Sequence, residues 1–256
     1  MARTKSGRDA KRAPRRAPVV ESPEPAVREA RGSRRRRETH GRLLDAALKL
    51  MADRGVDGVA VNEITEAADV GFGSFYNHFQ SKEAIHAELI DLVFVEFADA
   101  LDRSLGAVAD PAEVIAASVR HTLNRARIDR TWARFLLREG LSAGMLTRGL
   151  GIRLLRDIRN GIDTGRFAGD DELVALLTIA GTTLAAIATE VQYDGGAALE
   201  PEMRRRVGLP SPELPERVAA AVLRFLGVPP AEARRIARRP LAELDSKRVA
   251  ETIQAP

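Results

Sequence analysis

The residues with the most chemical content lie between Val61 and Ile85, in the run VNEITEAADVGFGSFYNHFQSKEAI. Phe75 and Phe79 stand four apart, and positions four apart share one face of a helix, so this pair defines an inward side. Gly73, Ser74, Tyr76 and Asn77 then fall outward, flanked by Phe72 and His78. That outward set suits a nucleic-acid duplex. Asn and Ser can hydrogen-bond base edges, an exposed aromatic can meet a thymine methyl, Gly lets a backbone come close, and Tyr and His can bond phosphates. Phe72 has two readings of equal standing, a base contact or an apolar staple for the preceding turn. Lys82 adds a phosphate-directed charge in the first turn of the next helix, where the unpaired amides form a second anion site.

Other chemistries find no support in the sequence. With no Cys there is no disulfide, thiolate zinc site or cysteine nucleophile. His40, His78, His86 and His121 are scattered, and no G-x-S-x-G, H-E-x-x-H or P-loop pattern occurs. Gly149-Leu150-Gly151 sits in a helical pattern without the strand that a nucleotide loop needs. No enzyme activity, metal or cofactor is expected.

The elements that must hold this constellation are helices. Leu43, Leu44, Ala47, Leu50 and Met51 make one apolar face of a helix from Thr39 to the Arg54-Gly55 stop signal. Ile64, Ala67 or Ala68, Val70, Phe75 and Phe79 lock two short helices, Val61 to Ala68 and Gly71 to Phe79, across a tight turn. This is a helix-turn-helix, whose second helix enters the major groove. A long helix runs from Ser81 to about Leu105. Asp110-Pro111-Ala112-Glu113 has the order of an N-cap, a first-turn proline and a capping glutamate. Further helices are expected at about 130–143, 145–164, 171–192, 214–227 and 230–239. The Gly- and Pro-rich stretch from Tyr193 to Pro212 reads as a long connection, and residues after Pro240 as a short docked helix or a frayed tail. No stretch alternates long enough for a strand, so the fold class is all-α.

Charge is distributed unevenly. Residues 1–37 carry a net charge of +9 and the other 219 carry −5, although the 256-residue chain totals only +4. The first 37 residues have four Pro and no Leu, Ile or aromatic, too little apolar surface to offset ordering, so a disordered basic arm is expected. It ends in Arg34 to Arg37, and Arg37 is counted among the DNA contacts. The arm has no apolar core of a secretory signal, and Leu173 to Ala188, at 16 residues, is shorter than the roughly 20 of a bilayer span. A cytoplasmic protein without a membrane partner is expected, with that stretch as a buried helix.

RLLDAALKLMADRG, VNEITEAADV and GSFYNHFQSKEAI together resemble the DNA-binding domain of the tetracycline-repressor (TetR) family, over about Arg42 to Leu89. The resemblance implies a homodimer of all-helical subunits, with an N-terminal DNA-binding domain and a larger C-terminal domain for dimerisation and ligand binding. It implies that Tyr76, His78 and Lys82 hold phosphates. Two departures stand out: Ala60 and Gly71 occupy N-cap positions where the family often has Ser or Thr, at a cost of up to about 1 kcal/mol for the Ala. Phe72 and Gly73 stand where many members carry a basic or hydroxyl residue.

The expected organisation is therefore an arm over 1–37, a three-helix DNA-binding domain over 38–85, a helical regulatory and dimerisation domain over 86–240, and a tail over 241–256. In the resembling family the last two long helices form the dimer interface. Here that points to Leu177, Gly181, Leu184, Ala185 and Ala188 on one helix and Val218, Val222 and Phe225 on the next, residues that burial within one subunit would equally use. Phe94, Phe97, Trp132, Phe135 and Met145, with His121, Asn124 or Thr178 as polar groups, could line an effector pocket or be plain core. The partners expected are a palindromic double-stranded DNA operator, a second copy of the chain and an unidentified small-molecule effector. An activator, an architectural DNA-binding protein and a helical ligand-binding protein without DNA function are the rival readings. Deleting residues 1–33 is expected to weaken DNA binding and flatten its salt dependence while leaving sequence preference intact; unchanged affinity would make the arm a solubilising tail only.

Overall fold

The computed structural model describes residue 1, residues 25–140, 142, 149–169, 171–194, 200, 202, 206, 208 and 211–244, with side chains left out at 25–31 and 193–194. The chain divides at Arg36 and Arg37 into an N-terminal unit and the unit from Arg37 onward. The helices are α1 (Pro25–Arg54), α2 (Val61–Ala67), α3 (Phe72–Tyr76), α4 (Lys82–Ile90), α5 (Glu96–Leu105), α6 (Pro111–Ile128), α7 (Arg130–Glu139), α8 (Gly149–Asp163), α9 (Glu172–Asp194), α10 (Leu214–Phe225) and α11 (Pro230–Ala237). No strand occurs among the described residues. Two expectations are corrected. The first helix starts at Pro25, ahead of the Thr39 start read from periodicity. The Ala and Arg of that stretch are good helix formers, and a proline starts it. The helix from Ser81 to Leu105 is interrupted by a π-helical segment, Asp91–Val95. Residues 2–24 and most of the 193–212 connection lie outside the described residues.

The DNA-binding domain is built on a small core in which Leu43, Leu44, Ala47, Met51, Ile64, Ala68, Phe75 and Phe79 are buried. Ala67, an alternative to Ala68 for this contact, is exposed. α2 starts without a capping hydroxyl. Instead the Glu63 carboxylate accepts the Ala60 amide at 2.8 Å and is held by Arg54 at 2.7 Å. The bond to the Ala60 amide, then that to Arg54, keeps this carboxyl below its usual range. The turn before α3 contains Asp69 at φ 50°, a left-handed conformation that an acidic side chain tolerates better than most. Arg42 fixes it by donating to the Asp69 carbonyl at 2.7 Å and to its carboxylate at 2.9 Å. α4 is capped by Ser81, whose Oγ accepts the Ala84 amide.

α6 is the central helix of the remainder, packed against α7 to α11. It starts on Asp110, whose carboxylate accepts the Ala112 amide at 3.0 Å, while Glu113 pairs with Arg239 instead of closing the box. α8 ends where the Arg166 and Phe167 amides both bond the Gly161 carbonyl. Phe167 then lies flat over Gly161: a β-carbon there would come within 2.1 Å of the ring. After α11, Leu241 and Leu244 pack on the core and Ser104 Oγ donates to the Glu243 carbonyl.

α7 ties the two halves of the Arg37–Pro256 unit together. Its Trp132 indole donates to the Val93 carbonyl at 3.2 Å, inside the π segment, where the wider turn leaves carbonyls poorly served by the helix itself. Phe135 stacks on Phe94 with ring centres 5.5 Å apart. One turn on, Arg138 donates to the Ala52 and Asp53 carbonyls at the C-terminal end of α1, where a cation meets the negative end of the helix. Glu139 lies 3.2 Å from His86 Nε2 of α4.

His121 of α6 is buried beside Arg120, whose guanidinium bonds Glu216 and the Arg239 carbonyl. Burial first, then the Arg120 charge, push the His121 imidazole down from 6.5 to about 4. An imidazole kept neutral in the fold but free to protonate when unfolded contributes its stability above pH 6.5 and loses it as pH falls toward 4. A His121→Leu variant is accordingly expected to lose less stability than wild type over this range, by on the order of 2 kcal/mol in denaturant titrations; identical slopes would clear His121 as the acid-sensitive group. Trp132→Phe removes the donor to the Val93 carbonyl together with part of the buried indole, and should lower unfolding stability by about 1–3 kcal/mol; an unchanged midpoint would show that the bond is dispensable.

Candidate nucleic-acid interface and inner cavity

α3 presents one face to the outside. Phe72 and Tyr76 are each 54% exposed, and Gly73 and Asn77 are exposed as well, while Ser74, His78 and Lys82 are half-buried. Phe75 and Phe79 point the other way, fully or almost fully buried. The outward set read from the sequence thus lies on one surface, with Lys82 at the start of α4. Arg37 is exposed on α1. His40, by contrast, belongs to the support: it stacks on Phe79 at 4.8 Å and bonds Glu88 at 2.6 Å. This leaves α3 braced from behind by three aromatic groups, with its polar and aromatic tips turned outward.

A cavity of about 400 Å³ lies between α5, α6, α7, α8 and α9. Most of its wall is apolar: Leu101, Leu105, Val119, Leu136, Leu154, Leu176, Ile179 and Leu184 among others. One side is ionic. Asp102 accepts from Arg153 at 2.7 Å and from Arg156 at 2.8 Å, and Arg156 also bonds Asp157 at 2.9 Å. Burial pushes the Asp157 carboxyl up, with Arg156 opposing it. At Asp102 burial also raises, but the bonds from Arg156 and Arg153 outweigh it and hold the carboxyl low. On the wall itself two carboxylates face two guanidinium groups, and Arg153 is also paired with Asp99 behind the wall. The hydroxyls of Thr122 and Thr183, elsewhere on the wall, are already spent as donors to the Ser118 and Ile179 carbonyls, so what they offer inward is lone pairs.

The residues nominated for a pocket are not those that line this one. Phe94, Phe97, Trp132 and Phe135 pack on one another, with Phe97 and Trp132 ring centres 5.2 Å apart, and His121 and Thr178 are likewise absent from the wall. Large aromatic rings fill the space around them, and the cavity opens where small residues such as Ala98, Gly151 and Ala180 leave room. Met145 lies outside the described residues, and Asn124 is half-buried on α6 away from the wall.

The nominated interface residues also divide. Leu177, Ala185 and Phe225 are exposed, and a β-carbon on Gly181 would meet nothing within 4 Å. Ala188 is half-buried. Val218 and Val222 are buried inside this chain against α6, and Leu184 lines the cavity beside Gly140, so these three are core of the subunit. α9 as a whole is long and apolar enough to cross a membrane by length and composition, yet only 33% of that window is buried. The expectation of a buried core helix is corrected: its outer side, with Leu173, Val174 and Leu177, is bare.

Residues 43–89 match "Bacterial regulatory proteins, tetR family", and residues 110–239 match "Tetracyclin repressor-like, C-terminal domain". The repressor DhaR of Mycobacterium sp. (strain GP1) is 39% identical over 72 residues, 28% of this chain and 34% of DhaR. The repressor NemR of Escherichia coli (strain K12) is 27% identical over 132 residues, 50% of this chain and 61% of NemR. The chain thus spans about a third to three-fifths of these relatives' lengths. RolR, solved in complex with resorcinol, is 38% identical and superposes with a TM-score of 0.59, over 83% of this chain and all of RolR. FadR of Bacillus subtilis, solved with stearoyl-CoA, shares 22% identity and a TM-score of 0.56 over 72% of this chain and 96% of FadR, a likeness of fold alone. All-helical, with a helix-turn-helix ahead of a helical C-terminal domain, the chain belongs to the tetR family of bacterial transcriptional regulators, which bind DNA.

Proposed function

We propose that this regulator is a homodimeric repressor that binds a palindromic operator through Phe72 to His78, with Lys82 and Arg37, and is released by a small effector held in the inner cavity. The observation that carries the ligand response is that α7 serves both sites: Leu136 lines the cavity, and Arg138, two residues on, holds the end of α1. A ligand that displaces α7 or α5 changes the support of the DNA-binding domain, and a difference in ligand affinity between the two arrangements supplies the switch. The effector class follows from the wall. Both guanidinium groups are already taken up by carboxylates and so disfavour an anion, the apolar lining favours a ring, and the carboxylates and spent hydroxyls favour a ligand that donates hydrogen bonds. A neutral hydroxylated aromatic of the size of resorcinol meets all three conditions, and RolR binds that compound. The second copy covers the bare side of α9 and Phe225, with Leu173, Val174, Leu177, Gly181, Ala185 and Ala188 in the interface. Two recognition helices one turn of DNA apart then read two half-sites.

The test is selection of bound fragments from genomic DNA, followed by titration of the selected operator. Wild type should bind it as a dimer and lose affinity on adding resorcinol or a related phenol. A Tyr76→Ala, Lys82→Ala double variant should bind on the order of tenfold or more weakly without loss of fold. A folded double variant that binds as well as wild type would overturn the contact assignment. An operator complex indifferent to every hydroxylated aromatic would overturn the effector class.

A further inference from the structure

We propose that Phe72 and Tyr76 together read thymine 5-methyl groups, so that each operator half-site has a thymine under Phe72 that cytosine cannot replace. This rests on α3 being the helix that enters the major groove. Phe72 and Tyr76 stand one turn apart, with ring centres 5.6 Å apart and the rings edge to face. Tyr76 in turn meets the fully buried Phe75 ring edge-on at 5.3 Å. Three rings therefore form a series that begins in the core and ends in solvent, and Phe72 is held outward by its neighbours. The alternative role of a staple for the turn would bury this ring against the chain, whereas it stays 54% exposed.

The chemistry around the pair narrows what it can contact. From Gly71 to Gln80 there is no Arg or Lys, so the two-pronged guanine contact made by those side chains is not available from this helix. Phe72 has no polar atom for a phosphate. The apolar feature that the major groove offers is the thymine methyl, which marks T apart from C. Gly73, where an added β-carbon would meet nothing within 4 Å, leaves the space beside Phe72 open for a base edge. Tyr76 contributes the face of its ring while its hydroxyl remains free to reach the backbone of the duplex.

The experiment replaces each thymine of the selected operator in turn by deoxyuridine, which removes only the methyl group, and measures affinity by fluorescence anisotropy. At one position in each half-site wild type should weaken about fourfold per substitution, the worth of one buried methyl. Phe72→Ala, an exposed position whose loss leaves the core untouched, should bind the thymine operator more weakly and no longer distinguish uracil from thymine at that position. Wild type that binds selectively yet tolerates uracil everywhere would overturn this inference and leave the DNA-binding reading intact. Failure to retain any selected sequence would overturn that reading and the inference with it. A Phe72→Ala chain that keeps full discrimination would assign the methyl contact to another residue and overturn the role of Phe72.

Discussion

The hydrogen bond from the Trp132 indole to the Val93 carbonyl is the contact on which the arrangement of the regulator depends. The helical run from Lys82 to Leu105 starts in the DNA-binding domain and ends in the cavity wall, and Trp132 bonds a carbonyl of its π segment. The π segment that leads into α5 cannot slide past α7 without either carrying Trp132 along or breaking this bond. The stacked Phe94 and Phe135 rings keep the two helices in register on the same side. At the far end of α7, Arg138 grips two carbonyls at the C-terminus of α1, so α7 meets α1, α4, the π segment and the cavity within ten residues.

How far the sequence could be read varies with the range of the interaction involved. The helix-turn-helix was legible because its determinants are local: Phe75 and Phe79 one turn apart, a tight turn, and a capping serine before α4. Boundaries of the later helices also came through periodicity and caps, Asp110 and Pro111 above all. The π segment was not legible, since DLVFV continues the same apolar stripe, and the side chain that bonds its carbonyl, Trp132, lies 39 residues away in the chain. Glu63 as the substitute cap of α2 carried a readable signal, a glutamate three residues after the cap position. It was overlooked because the cap residue itself is Ala.

The cavity shows a different limit. Aromatic residues attract attention as ligand contacts, yet Phe94, Phe97, Trp132 and Phe135 pack on one another and none of them lines the cavity. The space lies where Ala, Gly and Thr alternate with Leu, and its polar side comes from pairing Asp102 on α5 with Arg153 and Arg156 on α8, about fifty residues apart in sequence. Such pairing is invisible to periodicity, because on each helix alone these charges read as a solvated surface. The same holds for Val218 and Val222, whose apolar stripe would serve a dimer or a core equally well until α6 is seen to cover them.

Gly161 and Phe167 make a final point. The ring occupies the volume where any side chain at 161 would begin, so the two positions are one unit of packing split between a helix and the turn that follows it. Substitution at either is constrained by the other: a larger residue at 161 requires a smaller one at 167, and a smaller residue at 167 beside an unchanged Gly161 would open a hole beneath the turn. The pair should therefore change together or not at all among relatives that share this helix ending, a constraint of packing that depends on neither DNA nor ligand.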